Sequence, residues 1–272
     1  MPGSEIVVDR HPDVLAVLAD PRMAVPETAD GAGSFRQFRR RVSRYSNGAV
    51  HRARREVILA LLAGMDLDGL RQDATACTRR LLAAGPITDR AEFDIRCART
   101  VPVTVMGEAL GFAEPAELAG PVSLLAGPYA TGTVSDPAGV DDATTALLAR
   151  ARGDHSIVRV QLLLQTYTAT AALIGLVLES MPSDDIGGTI RRVLEQRPPV
   201  PATRRVATSS VLIGDHRFEP GTTAVIDLRA RPSGAAGASL AFGGGPRACP
   251  APAHAVAITH GVVTAMTSDD RR

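Results

Sequence analysis

One segment of the chain, residues 157–179, is apolar around its whole circumference and predicts a long helix. A surface helix keeps its apolar residues on one stripe, so we expect this helix to lie at the centre of the fold, covered by other helices. The polar stretch from Gln165 to Thr168 interrupts its apolar run. No run of about 18 apolar residues remains anywhere in the chain, so we expect no membrane-spanning helix.

Other segments with apolar residues at helical spacing lie on both sides of this one. They predict helices over about 11–20, 51–64, 66–84, 91–111, 115–126 and 251–266, whereas residues 127–140, rich in Gly, Pro, Thr and Ser, predict a mobile loop. Between residues 204 and 228 apolar and polar residues alternate around two turn pairs, which predicts a hairpin or small sheet. The expected fold is therefore mainly α with a small β region. It forms one domain over 1–272, with a helical part over 1–196, a β region and linker over 197–240, and a loop and final helix over 241–272.

Composition excludes several classes of function. The 30 basic residues, all of them arginine, balance 29 acidic ones, so nothing favours binding to nucleic acid or to an anionic membrane. Three widely spaced cysteines do not form a disulfide framework, and the first residues lack the features of a signal peptide. We therefore expect a cytoplasmic protein.

The motif with the most chemical content is FGGGPRACPA, residues 242–251. Its three consecutive glycines let the backbone turn tightly and approach a ligand closely. Cys249 stands just before a predicted helix, whose amino end favours the thiolate. A thiolate on such a loop is suited to axial ligation of haem iron. A flexible linker with an inert, buried cysteine explains the motif alone equally well.

The segment resembles the haem-binding loop of cytochromes P450, Phe-x-x-Gly-x-(Arg/His)-x-Cys-x-Gly. Phe242, Gly245, Arg247 and Cys249 match this pattern, and Ala251 replaces its last glycine. The resemblance implies a shortened P450-like fold that binds haem b, with Cys249 as the iron ligand. The loop residues that it places at the cofactor are Phe242, Gly243, Arg247, Cys249 and Ala251.

Two further segments resemble the same family in the expected order. His51 and Arg55 match a His-x-x-x-Arg of its C helix, and Arg205 matches an arginine that follows its K helix. With Arg247 they are expected to hold the two haem carboxylates, because charge-assisted hydrogen bonds suit such groups. Each cation taken singly fits a solvated surface better, and only their order relative to Cys249 favours this role.

The chain also departs from the family. It begins near the family's B helix, so the first strands and the A helix have no counterpart, and the meander before the haem loop is absent. Glu195 and Arg197 are two residues apart instead of three, so the ion pair of the K helix cannot form on one helix face.

The segment TAALIG, residues 170–175, resembles the middle of the family's I helix. That alignment puts Thr168 at the position of the family's acid, Ala169 at its alcohol and Thr166 at its glycine. Proton delivery is therefore expected to be altered, with Thr168 or Thr170 acting through water as substitutes. The residues expected to line the distal side are Thr166, Tyr167, Thr168, Ala169 and Thr170, together with Gln165.

Three functions are left open. The first is a haem-thiolate enzyme of secondary metabolism that acts on a small organic substrate and uses peroxide or performs non-monooxygenase chemistry. The second is an ordinary monooxygenase with altered proton delivery, and the third is a haem-free accessory protein. A basic patch suggests either a solvated face or docking of a redox partner, a carrier protein or an anionic substrate; its members are Arg36, Arg39, Arg40, Arg41 and Arg44. A homo-oligomer is also open.

Overall fold

The computed structural model describes residues 4–28, 30–180, 185–231 and 239–269. In chain order the helices are α1 (His11–Ala19), α2 (Ser34–Arg41), α3 (Gly48–Ala63), α4 (Leu67–Ala83), α5 (Arg90–Ala109), α6 (Ala119–Thr131), α7 (Pro137–Arg150), α8 (Ser156–Glu179), α9 (Ile186–Gln196) and α10 (Pro252–Asp269). The strands are β1 (Glu5–Val8), β2 (Met23–Ala24), β3 (Ala202–Ala207), β4 (Val211–Ile213), β5 (His216–Phe218) and β6 (Thr223–Asp227). The expected mainly α fold with a small β region is confirmed.

Helix α8 is the centre of the helical part. It packs against α3, α5, α6, α7, α9 and α10, and its Leu163, Leu164 and Ile174 are fully buried. Among the described residues α8 alone is long and apolar enough to span a membrane by length and composition. Because 56% of that stretch is buried against its own neighbours, it has the surroundings of a core helix.

Helix α10 packs closely along α4. A Cβ atom on Gly261 would lie 2.2 Å from the carbonyl oxygen of Arg71, so only glycine allows the two backbones to approach this far. The Thr75 hydroxyl bridges the two helices, since it lies 3.0 Å from the carbonyl oxygens of both Arg71 and Gly261. This contact fixes the helix that follows Cys249.

The small sheet has the strand order β1-β6-β3-β2. β1 runs parallel to β6, with Glu5 opposite Thr223, whereas β3 is antiparallel to both β6 and β2. β4 and β5 form a separate hairpin. Val8, Phe218 and Ile226 are fully buried in the apolar cluster under the sheet. The sheet thereby fixes the position of β3, one wall of the site described below.

Two expectations need correction. A strand, β1, precedes α1, although the first strands of the family were expected to have no counterpart; the edge of β6 provides its parallel partner. Of residues 127–140, expected to be a mobile loop, 127–131 complete α6 and 137–140 begin α7, which leaves 132–136 between the two helices. The Asp136 side chain accepts a hydrogen bond from the Gly139 N–H, and Pro137 occupies the first turn, so local capping prevails over composition. The basic run from Arg36 also forms a helix, α2.

Glu195, near the end of α9, and Arg197, just after it, do not form an ion pair with each other. Glu195 is exposed, and Arg197 instead donates to Glu179 at the end of α8 over 3.0 Å. The pair expected to be disrupted is thus replaced by an exposed link between α8 and the residue after α9.

Candidate functional site

A cavity of about 830 Å³ lies between α8, α3, α10, β3 and the loop that ends at Cys249. Its size is within the range of small-molecule and cofactor sites. All five loop residues that were expected at a cofactor lie in its wall; they are Phe242, Gly243, Arg247, Cys249 and Ala251.

Local backbone geometry places Cys249 in this wall. Gly243 and Gly245 have φ values of +70° and +64°, and a Cβ on Gly245 would lie 2.6 Å from the Leu18 carbonyl oxygen. The Cys249 N–H donates to the Phe242 carbonyl oxygen over 2.8 Å, which closes the loop. The Cys249 sulfur lies 3.4 Å from the Ala251 nitrogen, whose N–H it accepts.

The protonation of Cys249 depends on what occupies the cavity. Burial raises the pKa of the thiol, and the Ala251 N–H and the Arg55 guanidinium oppose this effect only in part. The free side chain is therefore a thiol at neutral pH, and a bound metal would displace its proton. Among the described residues, no three His, Cys, Asp or Glu side chains are placed to share a metal ion. A metal bound at Cys249 would have to bring other ligands with it.

Three arginines and a histidine from three parts of the chain converge on the same cavity. His51 and Arg55 come from α3, Arg205 from β3 and Arg247 from the loop. Arg55 donates to the Ala248 carbonyl oxygen over 2.8 Å, and Arg247 donates to Asn47 Oδ1 over 2.9 Å and to the Ser46 carbonyl oxygen. Their protein partners are neutral groups.

The cluster carries an uncompensated positive charge. Arg205 is 6% exposed and donates to the carbonyl oxygen of Arg204 and to the Thr203 hydroxyl. Burial, Arg247 and Arg44 lower the pKa of Arg205 to about 10. Burial and the surrounding arginines lower the pKa of His51 to about 4. Within the described ranges no carboxylate forms an ion pair with Arg55, Arg205 or Arg247. Such a site favours a bound anion.

Only one face of α8 reaches the cavity. Gln165, Thr166, Ala169 and Thr170 lie in the wall, because residues three and four apart share a helix face. The expectation that Tyr167 and Thr168 also line it is wrong. Thr168 is exposed on the far side, and the buried Tyr167 hydroxyl is 2.9 Å from the Ser123 hydroxyl of α6.

The hydroxyls on the cavity face of α8 differ in what they contact. The Thr166 hydroxyl donates to the Leu162 carbonyl oxygen over 3.0 Å and is therefore engaged by its own helix. Thr170, which is 3% exposed, forms no side-chain hydrogen bond with any described residue. Gln165 accepts a hydrogen bond from the buried Gln161, which leaves the Gln165 amide nitrogen without a described partner.

The structure adds residues that the motif did not indicate. His254 on α10 lines the cavity; its Nε2 lies 3.2 Å from the Leu62 carbonyl oxygen and its buried Nδ1 has no partner. Gln161 exchanges hydrogen bonds with Ser43, which ties α8 to the segment before α3. An isolated histidine or glutamine on a predicted helix gives no sequence signal for such a position.

The helices around α8, the small sheet and the loop ending at Cys249 together form the cytochrome P450 fold. The sequence matches no protein-family model and no curated protein. The expected resemblance is therefore confirmed at the level of the fold, by comparison with solved structures.

Three of those structures show how far the similarity extends. P450BioI, solved in complex with an acyl carrier protein ligated to hexadec-9Z-enoic acid, superposes with a TM-score of 0.75 at 15% identity, over 96% of this chain and 84% of that one. Ligand-free CYP164A2 from Mycobacterium smegmatis gives 0.73 at 19% identity, over 98% and 84%. The open form of cytochrome P450 EryK from S. erythraea gives 0.71 at 20% identity, over 96% and 82%.

Proposed function

We propose that this protein binds haem b in the cavity, where the Cys249 thiolate would be the protein ligand of the iron. The observation that carries the proposal is the convergence of one cysteine, three arginines and a histidine, without acidic partners among the described residues, on the wall of a single cavity. A porphyrin brings four nitrogen ligands for the metal, which a site with a single cysteine ligand lacks. Its two carboxylates are suitable partners for the arginines. The P450 structures that the fold resembles support the same assignment.

The cysteine, the arginines and Ala251 each have a defined part in holding this group. Arg205 and Arg247 are placed to donate to its carboxylates, and Arg55 completes the same cationic surface. His51, whose pKa of about 4 leaves it uncharged at neutral pH, lies beside them in the wall. The Ala251 N–H stabilises the thiolate by a hydrogen bond to its sulfur. When bound, the haem supplies a redox-active, Lewis-acidic iron centre.

The proposed reaction on a small organic substrate is either an oxidation by peroxide or a non-redox conversion that needs no oxidant. The cavity face of α8 carries no acid, and Thr170 Oγ1 is the hydroxyl there that remains free to hold a water and pass a proton. Glu27, the cavity carboxylate among the described residues, accepts a hydrogen bond from Asn47 over 3.0 Å. Peroxide is dioxygen that has already taken up two electrons and two protons, so its use needs less proton delivery by the protein than the use of dioxygen does. The lack of an acid on this face therefore favours peroxide over a monooxygenase cycle.

The setting proposed for this reaction is secondary metabolism, in the cytoplasm. One similar structure contains erythromycin B, and another contains an acyl carrier protein. A carrier protein or redox partner is proposed to dock on the exposed arginines of α2, which are Arg36, Arg40 and Arg41.

A spectrum of the reduced protein with carbon monoxide tests haem binding directly. Protein expressed with haem supplied is expected to show the strongly red-shifted Soret band of thiolate-bound haem. Cys249→Ala is expected to lose that band, whereas Cys97→Ala, which removes a fully buried cysteine outside the cavity wall, is expected to keep it. Absence of any Soret band in the wild-type protein would reject the proposal in favour of a haem-free accessory protein.

The reaction type is tested by comparing two sources of oxidising equivalents. Turnover of a panel of small organic substrates with hydrogen peroxide is expected to exceed turnover with dioxygen and a ferredoxin electron-donor system. The reverse ranking would favour an ordinary monooxygenase with altered proton delivery.

A further inference from the structure

Two arginines of the basic patch face the cavity, in addition to the three arginines and the histidine already assigned. Arg39 lies on α2, and Arg44 lies in the short 3-10 turn of residues 43–45 that follows it. Both contribute to the cavity wall, whereas Arg36, Arg40 and Arg41 do not. The patch therefore has an inner and an outer part.

An aromatic platform holds the inner part. The Arg39 guanidinium carbon is 4.1 Å from the centroid of the Tyr45 ring, and that of Arg44 is 5.7 Å from the same ring. Arg44 is also 5.6 Å from the Tyr129 ring, which meets Tyr45 edge to face at 71°. The Tyr45 hydroxyl donates to the Tyr129 carbonyl oxygen, so the platform is anchored to α6. The two cations are thus positioned before any ligand arrives.

The hydrogen-bonding capacity of these two cations is unused. Neither Arg39 nor Arg44 donates a hydrogen bond or forms an ion pair with any described residue, and the Arg39 Nε is buried without a partner. The Thr28 hydroxyl, in the same wall, is also buried and unpartnered. By contrast, the outer Arg40 pairs with Asp30 at 2.8 Å. A buried donor left without an acceptor is costly, so this part of the wall is built for a ligand that accepts hydrogen bonds.

The charge of the cavity leads to the same conclusion. Its wall contains Arg39, Arg44, Arg55, Arg204, Arg205 and Arg247. Glu27 is the only carboxylate in that wall among the described residues, and Arg204 has Glu5 nearby, at 3.9 Å. After Glu27, Glu5 and the two carboxylates of a haem are counted against these six arginines, two positive charges remain unmatched. Arg39 and Arg44, which have no acceptor among the described residues, are the arginines that remain for a second anion.

We propose that the substrate is a small amphipathic carboxylate whose anionic group binds Arg39 and Arg44. Guanidinium groups recognise carboxylates through paired, charge-assisted hydrogen bonds. The rest of the wall is largely aliphatic, with Met106, Leu162 and Leu173 among its members, and this surface receives the apolar part of the molecule. The inference rests on the proposed function for what happens to the substrate, but the binding itself is independent of the reaction.

Calorimetric titration of the purified, haem-loaded protein with matched pairs of ligands tests the inference. The probes are hexanoate, octanoate and decanoate, each compared with the alcohol of the same chain length. At low salt the carboxylate is expected to bind about tenfold or more tightly than its alcohol, since hydrogen bonds to charged groups are worth that much. The inference would be overturned if the carboxylates bind no more tightly than their alcohols, or if none of the three carboxylates binds.

Variants identify the residues responsible. Arg39→Met is expected to weaken carboxylate binding about tenfold while leaving alcohol binding unchanged, and Arg39→Lys is expected to recover part of the loss. Arg41→Met removes the same charge from an exposed position of α2 and is the matched control, expected to bind like wild type. Equal losses for Arg39→Met and Arg41→Met would show a general charge effect and reject the site.

The two proposals fail in different measurements. The Soret band reports haem binding, whereas the titration reports carboxylate binding. If the purified protein contains no haem, the proposed function is rejected, and the same titration on that protein still decides the present inference. If haem binds but carboxylates show no advantage, only the present inference is rejected.

Discussion

Replacement of Arg205 by methionine is expected to leave the haem-free protein at least as stable as wild type while it weakens haem binding. The guanidinium is 6% exposed, and its pKa is lowered to about 10 by burial, Arg247 and Arg44. A lowered pKa of a cation means that its charged form is less favourable in the folded chain than in the unfolded one. This cost is present at every pH below about 10 and disappears only as the pH rises above that value.

The magnitude follows from the size of the displacement. Each factor of ten in the protonation equilibrium is worth about 1.4 kcal/mol, so the charge of Arg205 opposes folding by about 3 kcal/mol. Methionine removes this cost but loses the hydrogen bonds to Arg204 and Thr203, worth about 1 kcal/mol each. The net expectation is a gain of about 1 kcal/mol in the free energy of unfolding of the haem-free protein.

Two measurements on the same preparation check this prediction. Urea denaturation of haem-free wild type and Arg205→Met gives the change in stability, and Soret titration with haem gives the change in affinity. Because a haem carboxylate compensates the charge, the variant is expected to bind haem about tenfold or more weakly. A variant that is several kcal/mol less stable without haem, yet binds haem as wild type does, would show that Arg205 is a structural residue with no carboxylate to hold.

Further predictions concern the histidine of the cluster, the helix contact and the central helix. The pKa of His51 is lowered to about 4, so the unfolded haem-free chain binds more protons between about pH 4 and 6.5; its stability is expected to be complete above that window and about 2 kcal/mol lower at pH 5. In urea unfolding at pH 7 and pH 5, His51→Gln should lack this component and His216→Gln should keep it. Gly261→Ala is expected to destabilise the protein by about 1–3 kcal/mol in denaturant unfolding, because its methyl group would meet a backbone carbonyl of α4, whereas Gly175→Ala, which has open space, should not. Ala169→Thr is expected to give no large gain in turnover with an electron donor, since that face of α8 carries no acid; a large gain would show that the missing alcohol alone limits proton delivery.

Local patterns in the sequence identified most of the long helices, although α7 was not among those predicted. Residues 157–179 predicted α8 to within one residue at its start, because an apolar run of that length leaves few alternatives. Helix α2 depends on a distant partner instead. The Asp141 carboxylate of α7 accepts the Phe35 N–H over 2.9 Å and so caps a helix whose own Gly33 offers no side chain. A capping group contributed from 106 residues away leaves no local pattern to detect.

The candidate site was predictable where a motif fixes the backbone. The glycines before Cys249 dictate a tight loop, and His51 and Arg55 occupy one helix face by spacing alone. The face of α8 was predicted too broadly, because an alignment of consecutive residues ignores helical periodicity, which turns Thr168 to solvent. The platform under Arg39 brings Tyr45 and Tyr129 together from separate elements, and only tertiary packing establishes that contact.

The parallel pairing of β1 with β6 has a consequence for how the chain reaches its native state. Glu5 and Thr223 are neighbours in the sheet although more than two hundred residues separate them, and at roughly 5–20 residues per second the ribosome releases the first strand tens of seconds before its partner has been made. Arg205 lies on the strand that pairs with the other side of β6, opposite Ala224. The cationic wall is therefore completed late in biosynthesis, after the helical part has had time to form. During that interval β1, with Val7 exposed even in the finished fold, is an unpaired strand whose free backbone groups favour pairing with other chains and so aggregation.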